Sequence, residues 1–248
     1  MDAAQTIRNA VDRVSLLRQE GQANPVLHSA IMEIKAFQAW RFSQTYADEL
    51  KAGPYQGAAQ FFLTELYSNK DYTQRDAEFS RIAGALQKVF SKQVVLTAVS
   101  LAQLHALTEE LDHAMGKAWL TLDSSPTDTD ARRYAQSWQR VGRQADREFQ
   151  LETVMAVGRE LDSLTRAPGL RMLLKMMRRP AHAAGLSSLQ QFLESGFDTF
   201  AKMSRGGRGA TEFLALVHER ESHLLEVLSF QNTVAFETEC RSIQPGNL

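Results

Sequence analysis

FFLTELYSNKDYTQRDAEFSR, residues 61–81, holds the densest mixture of aromatic and charged side chains in the chain. It reads as the end of one helix, a tight polar turn at Ser68-Asn69-Lys70-Asp71, and the start of a second helix. Thr73 and Asp76 form a T-x-x-D pattern, a variant of the capping box, with the acid near the positive end of the new helix. Phe79, Ile82, Leu86, Val89 and Phe90 follow at helical spacing and predict its buried face. Helix, turn, helix is the pattern on which the rest of the chain is built.

Toward the N-terminus, residues 2–20 carry a narrow apolar stripe, Val11, Val14 and Leu17, with Gly21 as a stop. Asn24-Pro25 is an N-cap followed by proline at the first helical position. It predicts a helix to about Ala52, with Leu27, Ile31, Ile34, Phe37 and the Trp40-Arg41 pair along one side and Gly53-Pro54 as its end. A third helix covers 56–67. Toward the C-terminus, Ser91 caps a helix to about Leu120 that is apolar on most sides, as a central helix is. The Ser-, Thr-, Asp- and Pro-rich segment 121–130 is the clearest linker and the one point of possible subdivision. Helical pattern resumes from 128 or 129 to about 166, with Gly142 as a break or kink. Ala167-Pro168-Gly169 is a turn, and a short helix over 170–178 ends before Pro180. Amphipathic helices follow over 186–203 and 211–230, separated by the basic loop SRGGRG (204–209), which follows a helix and reads as a linker. The tail 232–248 has weak pattern and is expected to fray. No sustained alternation bounded by hairpin turns occurs. The expectation is an all-α bundle of about eight to ten helices with no significant β-sheet, as a single domain over 1–248.

Composition narrows the function classes. With 248 residues, 44% hydrophobic and 23% charged, the chain is long enough for a sizeable core. A formal net charge of -1 supplies no global field for nucleic acid, which is not expected as a partner. One cysteine, Cys240, excludes a disulfide framework and CxxC metal sites, and fits a reducing cytosol. The N-terminus lacks the apolar core of a secretory signal, and the most apolar run, 94–102, is far short of the ~20 residues that span a bilayer. A cytoplasmic protein without a membrane segment is expected.

The strings FFLTELYSNKDYTQRD (61–76), GRELDSLTR (158–166) and RRPAHAAGLSSLQQFLESGFDTF (178–200) resemble an uncharacterised proteobacterial family of all-helical proteins. The resemblance spans most of the chain. It implies an all-α fold and brings no activity, cofactor or partner.

Three constellations are candidates for chemistry. At the opening corner, Glu65, Tyr67, Lys70, Asp71, Arg75 and Asp76 crowd together in sequence. Arg75 is suited to grip a carboxylate or phosphate, with Glu65 and Asp76 beside it. The structural reading of the same residues is a satisfied corner: Arg75 paired with Glu65 or Asp76, Asp71 capping, Tyr67 packed. On the central helix, His105, Glu109 and Asp112 share one face at i, i+4 and i+7, a donor set that suits iron, manganese or zinc. Glu110 and His113 form E-x-x-H, but the only counterpart, Glu219 with His223, has i, i+4 spacing, so a symmetric di-metal bundle is poorly matched. The plain reading is a charged face with a hydrogen-bonded histidine. The third is a charge asymmetry. Residues 163–193 contain no aspartate past Ser163 and no glutamate, yet hold Arg166, Arg171, Lys175, Arg178 and Arg179, interleaved with Met172, Met176 and Met177. Such a basic, methionine-rich helix suits an acidic protein, a small anion or a membrane surface, unless acids elsewhere in the fold pair with it.

No G-x-S-x-G, P-loop, G-x-G-x-x-G or H-E-x-x-H motif occurs, and no motif requires a cofactor. The leading expectation is therefore a non-catalytic binding or interaction module for an acidic protein or small anionic ligand. The alternative is a metal- or cofactor-dependent enzyme, oxidase- or oxygenase-like, using His105, Glu109 and Asp112 in the bundle interior.

Overall fold

A computed structural model describes residues 2–67, 70–122, 129–205, 209–229 and 233–242, without the side chains of Arg205, Arg241 and Ser242. Among these residues every regular element is helical, in the order α1 (Ala3–Ala23), α2 (Pro25–Thr45), α3 (Ala47–Lys51), α4 (Gln56–Glu65), α5 (Thr73–Val89), α6 (Lys92–Leu120), α7 (Asp130–Val141), α8 (Gln144–Thr165), α9 (Leu170–Met176), α10 (Arg178–Ala183), α11 (Ser187–Arg205), α12 (Gly209–Ser229) and α13 (Thr233–Ser242). The all-α expectation holds. None of these helices is long and apolar enough to cross a membrane. Of the expected loops, Ser68-Asn69, most of the 121–130 linker, the centre of SRGGRG and the last six residues lie outside the described residues.

Helices outnumber the eight to ten expected because long periodic stretches are broken at single residues. Asn24 caps α2 as expected: its side-chain oxygen accepts from the Leu27 N–H at 3.2 Å, with Pro25 in the first turn. The helix then stops at Tyr46 (φ −111°, ψ 27°), not at Gly53, and α3 restarts it. Thr129 caps α7 by accepting from the Arg132 N–H. Gly142 and Arg143, both in the left-handed region (φ 61° and 58°), separate α7 from α8. Pro180 does not end its helix: it sits inside α10, in the first turn, where a missing N–H leaves no bond unmade. The helix–turn–helix corner also departs from expectation. Tyr72, not Thr73, is the N-cap of α5, and the Thr73 N–H donates to the Asp71 carboxylate at 2.9 Å. The T-x-x-D pattern is thus not a capping box, since Thr73 is already inside the helix. Of the tail, the described residues 233–242 form α13, a packed helix with Phe236 and Cys240 buried.

The chain divides into two compact units. Unit 1 is Met1–Leu16, Lys70–Leu107 and Glu152–Ala215; unit 2 is Leu17–Asn69, Thr108–Leu151 and Leu216–Leu248. In unit 1, Ala4, Ile7, Ala10, Ala83, Leu86, Val95 and Ala102 form one apolar cluster, and Leu174, Phe197 and Ala201 form another. Gly158 lets α8 lie against α12, because a Cβ there would meet Leu214 Cδ2 at 2.5 Å. In unit 2, one cluster joins Ile34 and Phe37 of α2, Met115 and Trp119 of α6, Tyr134 and Trp138 of α7, Leu228 of α12, and Phe236 and Cys240 of α13.

Candidate functional site

Helix α2 is apolar along one side, and Arg41 falls on that side with Ile34 and Phe37. Burying a guanidinium costs several kcal/mol (on the order of the penalty for any ion removed from water) unless it is paired and hydrogen-bonded. Glu221 of α12 supplies the pairing. Arg41 Nη1 and Nη2 donate to its two oxygens at 2.6 and 3.0 Å, and the Tyr46 hydroxyl donates to Oε1 at 3.0 Å. The Arg41 guanidinium also lies over the Tyr67 ring, 5.6 Å from its centre. Burial is the largest influence on Arg41 and works against its charge, but the Glu221 carboxylate together with Tyr67 and Tyr134 outweighs it and holds the guanidinium ionised; burial and Glu221 together push the Tyr46 phenol up. This charge pair is a structural lock in the middle of unit 2.

A second polar layer in unit 2 joins α1, α2 and α6. Arg18 and Lys35 donate to Glu109 Oε1 at 3.0 and 2.9 Å, and Lys35 Nζ lies 3.6 Å from Asp112 Oδ2. Gln38 donates from Nε2 to Asp112 Oδ1 at 3.0 Å and to the Tyr134 hydroxyl oxygen at 3.5 Å. Burial raises the Asp112 pKa above the ordinary carboxylate range even with Lys35 beside it. Burial opposes the Lys35 charge, yet the Asp112 and Glu109 carboxylates prevail and lift it.

Arg147, in the first turn of α8, is a buried cation of a different kind. Its side chain lies flat on the Trp138 ring, with the guanidinium carbon 3.4 Å from the ring centre. It is 4% exposed, and its Nε and Nη2 are buried with no hydrogen-bond partner among the described residues. Burial lowers its pKa, and the nearby Tyr134 and Asp112 only partly restore it.

In unit 1 the His105 ring nitrogen Nε2 lies 2.9 Å from Asp76 Oδ2, and Arg75 Nε lies 3.9 Å from the other Asp76 oxygen. Arg75 is sandwiched between the rings of Tyr72 (3.9 Å) and Phe192 (4.6 Å). One turn on, Glu78 is 1% exposed. Its Oε2 accepts from the Leu189 N–H at 2.8 Å, in the first turn of α11, and its Oε1 accepts from Gln74 at 3.0 Å. The residue before α11 is Leu186, whose side chain has no oxygen with which to cap the helix. A carboxylate from α5 does so instead, where the helix dipole favours negative charge.

The basic segment is α9 and α10, joined through Met177 in right-handed helical conformation. Its charges fall into two groups. Arg171 pairs with Asp198 at 2.9 Å, and Arg178 forms a forked pair with Glu194, both acids on α11. That contact raises the Arg178 pKa and lowers that of Glu194. Lys175 and Arg179 are exposed and have no hydrogen bond or ion pair among the described residues. Met172 and Met176, 63% and 68% exposed, alternate with them along the segment.

The sequence candidates are therefore dispersed. His105 belongs with Asp76 in unit 1, whereas Glu109 and Asp112, on the same helix, engage Arg18, Lys35 and Gln38 in unit 2. Among the described residues no group of three His, Cys, Asp or Glu side chains is placed to hold a metal ion. The E-x-x-H residues also part: Glu110 lies 3.6 Å from Arg143, His113 3.5 Å from Glu20, and His223 3.6 Å from Glu239. Glu65 closes α4 in unit 2, whereas Arg75 and Asp76 belong to unit 1. Sequence reasoning missed Glu78, Glu221 and Arg147. Arg41 had left a signal, a charge on an apolar helix face, but its partner is 180 residues away.

A family model described as a domain of unknown function, DUF8198, matches residues 17–234. The chain belongs to this family. Neither the comparison with curated proteins nor that with solved structures returned a match. The family carries no assigned activity, so function rests on the side chains above.

Proposed function

We propose that the chain is a non-catalytic interaction module that docks an acidic, amphipathic helical segment of a partner protein on α9 and α10. The observation that carries this reading is the exposed series Met172, Lys175, Met176 and Arg179, at i, i+3, i+4 and i+7. Two flexible apolar side chains alternate with two exposed cations that make no hydrogen bond or ion pair among the described residues, although Lys175 lies near enough to Glu194 to lower its pKa. Methionine adapts to partner shape, and an amphipathic helix presents apolar and acidic positions at the same spacing. Arg171 and Arg178 play a different part. Their acids on α11 hold the α9–α10 segment in place, and the two remaining cations are left for the partner.

The reading is tested with a labelled synthetic helix bearing leucine and glutamate at matching positions, and a lysine-for-glutamate control peptide. The acidic peptide is expected to bind the intact chain, more weakly as salt rises, and the basic control not at all. Lys175→Glu with Arg179→Glu should weaken binding by about tenfold or more, equivalent to about 1.4 kcal/mol, and Met172→Ser with Met176→Ser by a similar factor. Equal affinity across the wild type and both double variants would remove the proposal.

A further inference from the structure

We propose that Arg147 anchors a small-oxyanion site inside unit 2, one that takes a carboxylate or phosphate group side-on. The geometry of the guanidinium carries the argument. Its Nε–H and Nη2–H point the same way and together match the two oxygens of a carboxylate or two of a phosphate. In this protein that edge is the buried and unpartnered one. The flat face is already used, stacked on Trp138.

The neighbouring carboxylates do not complete it. Asp112 faces Gln38 with one oxygen and Lys35 with the other, and Asp146 accepts from Arg143 Nε at 2.6 Å. Tyr134, whose ring centre lies 6.0 Å from that of Trp138, accepts from Gln38 through its hydroxyl oxygen and keeps its own proton to donate. Arg147 and Tyr134 thus bring three unspent N–H and O–H donors to the surroundings of one indole. An unpaired buried cation is among the costliest arrangements in a protein interior, whereas the Arg41–Glu221 pair in the same unit shows the arrangement that satisfies one. An oxyanion from solution supplies at Arg147 what Glu221 supplies at Arg41. The site is independent of the α9–α10 surface, which lies in unit 1.

The test uses the purified full-length chain, exchanged into chloride at constant ionic strength. Formate, acetate, phosphate and sulfate are each titrated by calorimetry, while the arginine Nε–H signals are followed by NMR. One of these anions is expected to give saturable one-to-one heat and to shift one deshielded Nε–H resonance, which is absent from the spectrum of Arg147→Lys. Formate and acetate against phosphate and sulfate separate the carboxylate source from the tetrahedral one. Arg147→Lys keeps the charge but loses the two-donor edge, and should weaken binding by about tenfold or more. Tyr134→Phe should weaken it by a smaller factor. In Arg147→Met the anion effect should vanish, while the anion-free protein melts no lower than the wild type, because an uncompensated charge has been removed. The proposal is overturned if no anion gives saturable heat beyond chloride. It is equally overturned if the binding persists unchanged in Arg147→Lys and Arg147→Met.

Discussion

Glu78 in unit 1 and Glu221 in unit 2 are both buried acids, and they are satisfied in different ways. Glu78 meets a helix terminus: a backbone N–H of α11 and the Gln74 amide, with no cation within ion-pair distance among the described residues. Glu221 meets a full charge, Arg41, through two hydrogen bonds and a third from Tyr46. The difference teaches what each acid does. Glu78 fixes where a helix begins. Glu221 makes a long-range tie between α2 and α12 whose loss strands a cation in the core.

The comparison is most severely tested by Glu221→Ala, which leaves Arg41 buried and unpaired. A loss of about 3–5 kcal/mol is expected in urea unfolding. The double change Arg41→Met with Glu221→Leu should recover most of that loss, because the stranded charge goes with the pair. If the double variant is as unstable as the single one, the acid acts through packing, not charge. Glu78→Gln keeps the shape and one acceptor but removes the charge at the α11 terminus. A loss of about 1.5–3 kcal/mol is expected, with faster exchange of the Leu189 amide as its local signature. The smallest effect concerns Asp112, whose folded-state pKa is raised by burial. The unfolded carboxyl titrates near the ordinary value of about 3.9. Between that value and the raised one, only the folded state holds the proton. Its contribution is therefore complete at low pH and is lost as pH rises through the folded pKa. The stability of the wild type relative to Asp112→Asn should fall as pH is raised from about 4 toward neutrality. A pH-independent difference would show that Lys35 and Gln38 cancel the burial effect.

Local grammar was legible and distant pairing was not. Asn24-Pro25, Gly142 and Gly169 marked real helix boundaries because their effects lie in their own backbone geometry. The break at Tyr46 carried no such mark, since its ring is buried and its hydroxyl answers to Glu221, 175 residues on. The acid-free segment drew attention to five cations at once. Only the fold shows that Asp162, Asp198 and Glu194 claim Arg166, Arg171 and Arg178 and leave Lys175 and Arg179 exposed without an ion pair among the described residues. Asp76 and His105 were each singled out, but in different constellations, because nothing in a 29-residue separation joins a helix terminus to the face of another helix. Cys240 looked like part of a frayed tail. It is buried in α13, and burial pushes its thiol up to about 12, the reverse of what a nucleophile requires.

The division of the chain has a consequence for synthesis. Each unit is assembled from three separated lengths of chain, and the lengths alternate. Neither is therefore a stretch that a ribosome finishes and releases before starting the next, as tandem domains are. The Glu78 bond to Leu189 spans 111 residues, and the Arg41 bond to Glu221 spans 180. In a nascent chain α1, α5 and α6 already hold residues of one cluster, Ile7, Leu86 and Val95, whereas α5 and α2 still wait for their partners on α11 and α12. During that interval Arg41 has no Glu221 and α5 has no α11 to cap. The ties that join earlier lengths of each unit to its last therefore form only after α11 and α12 have emerged.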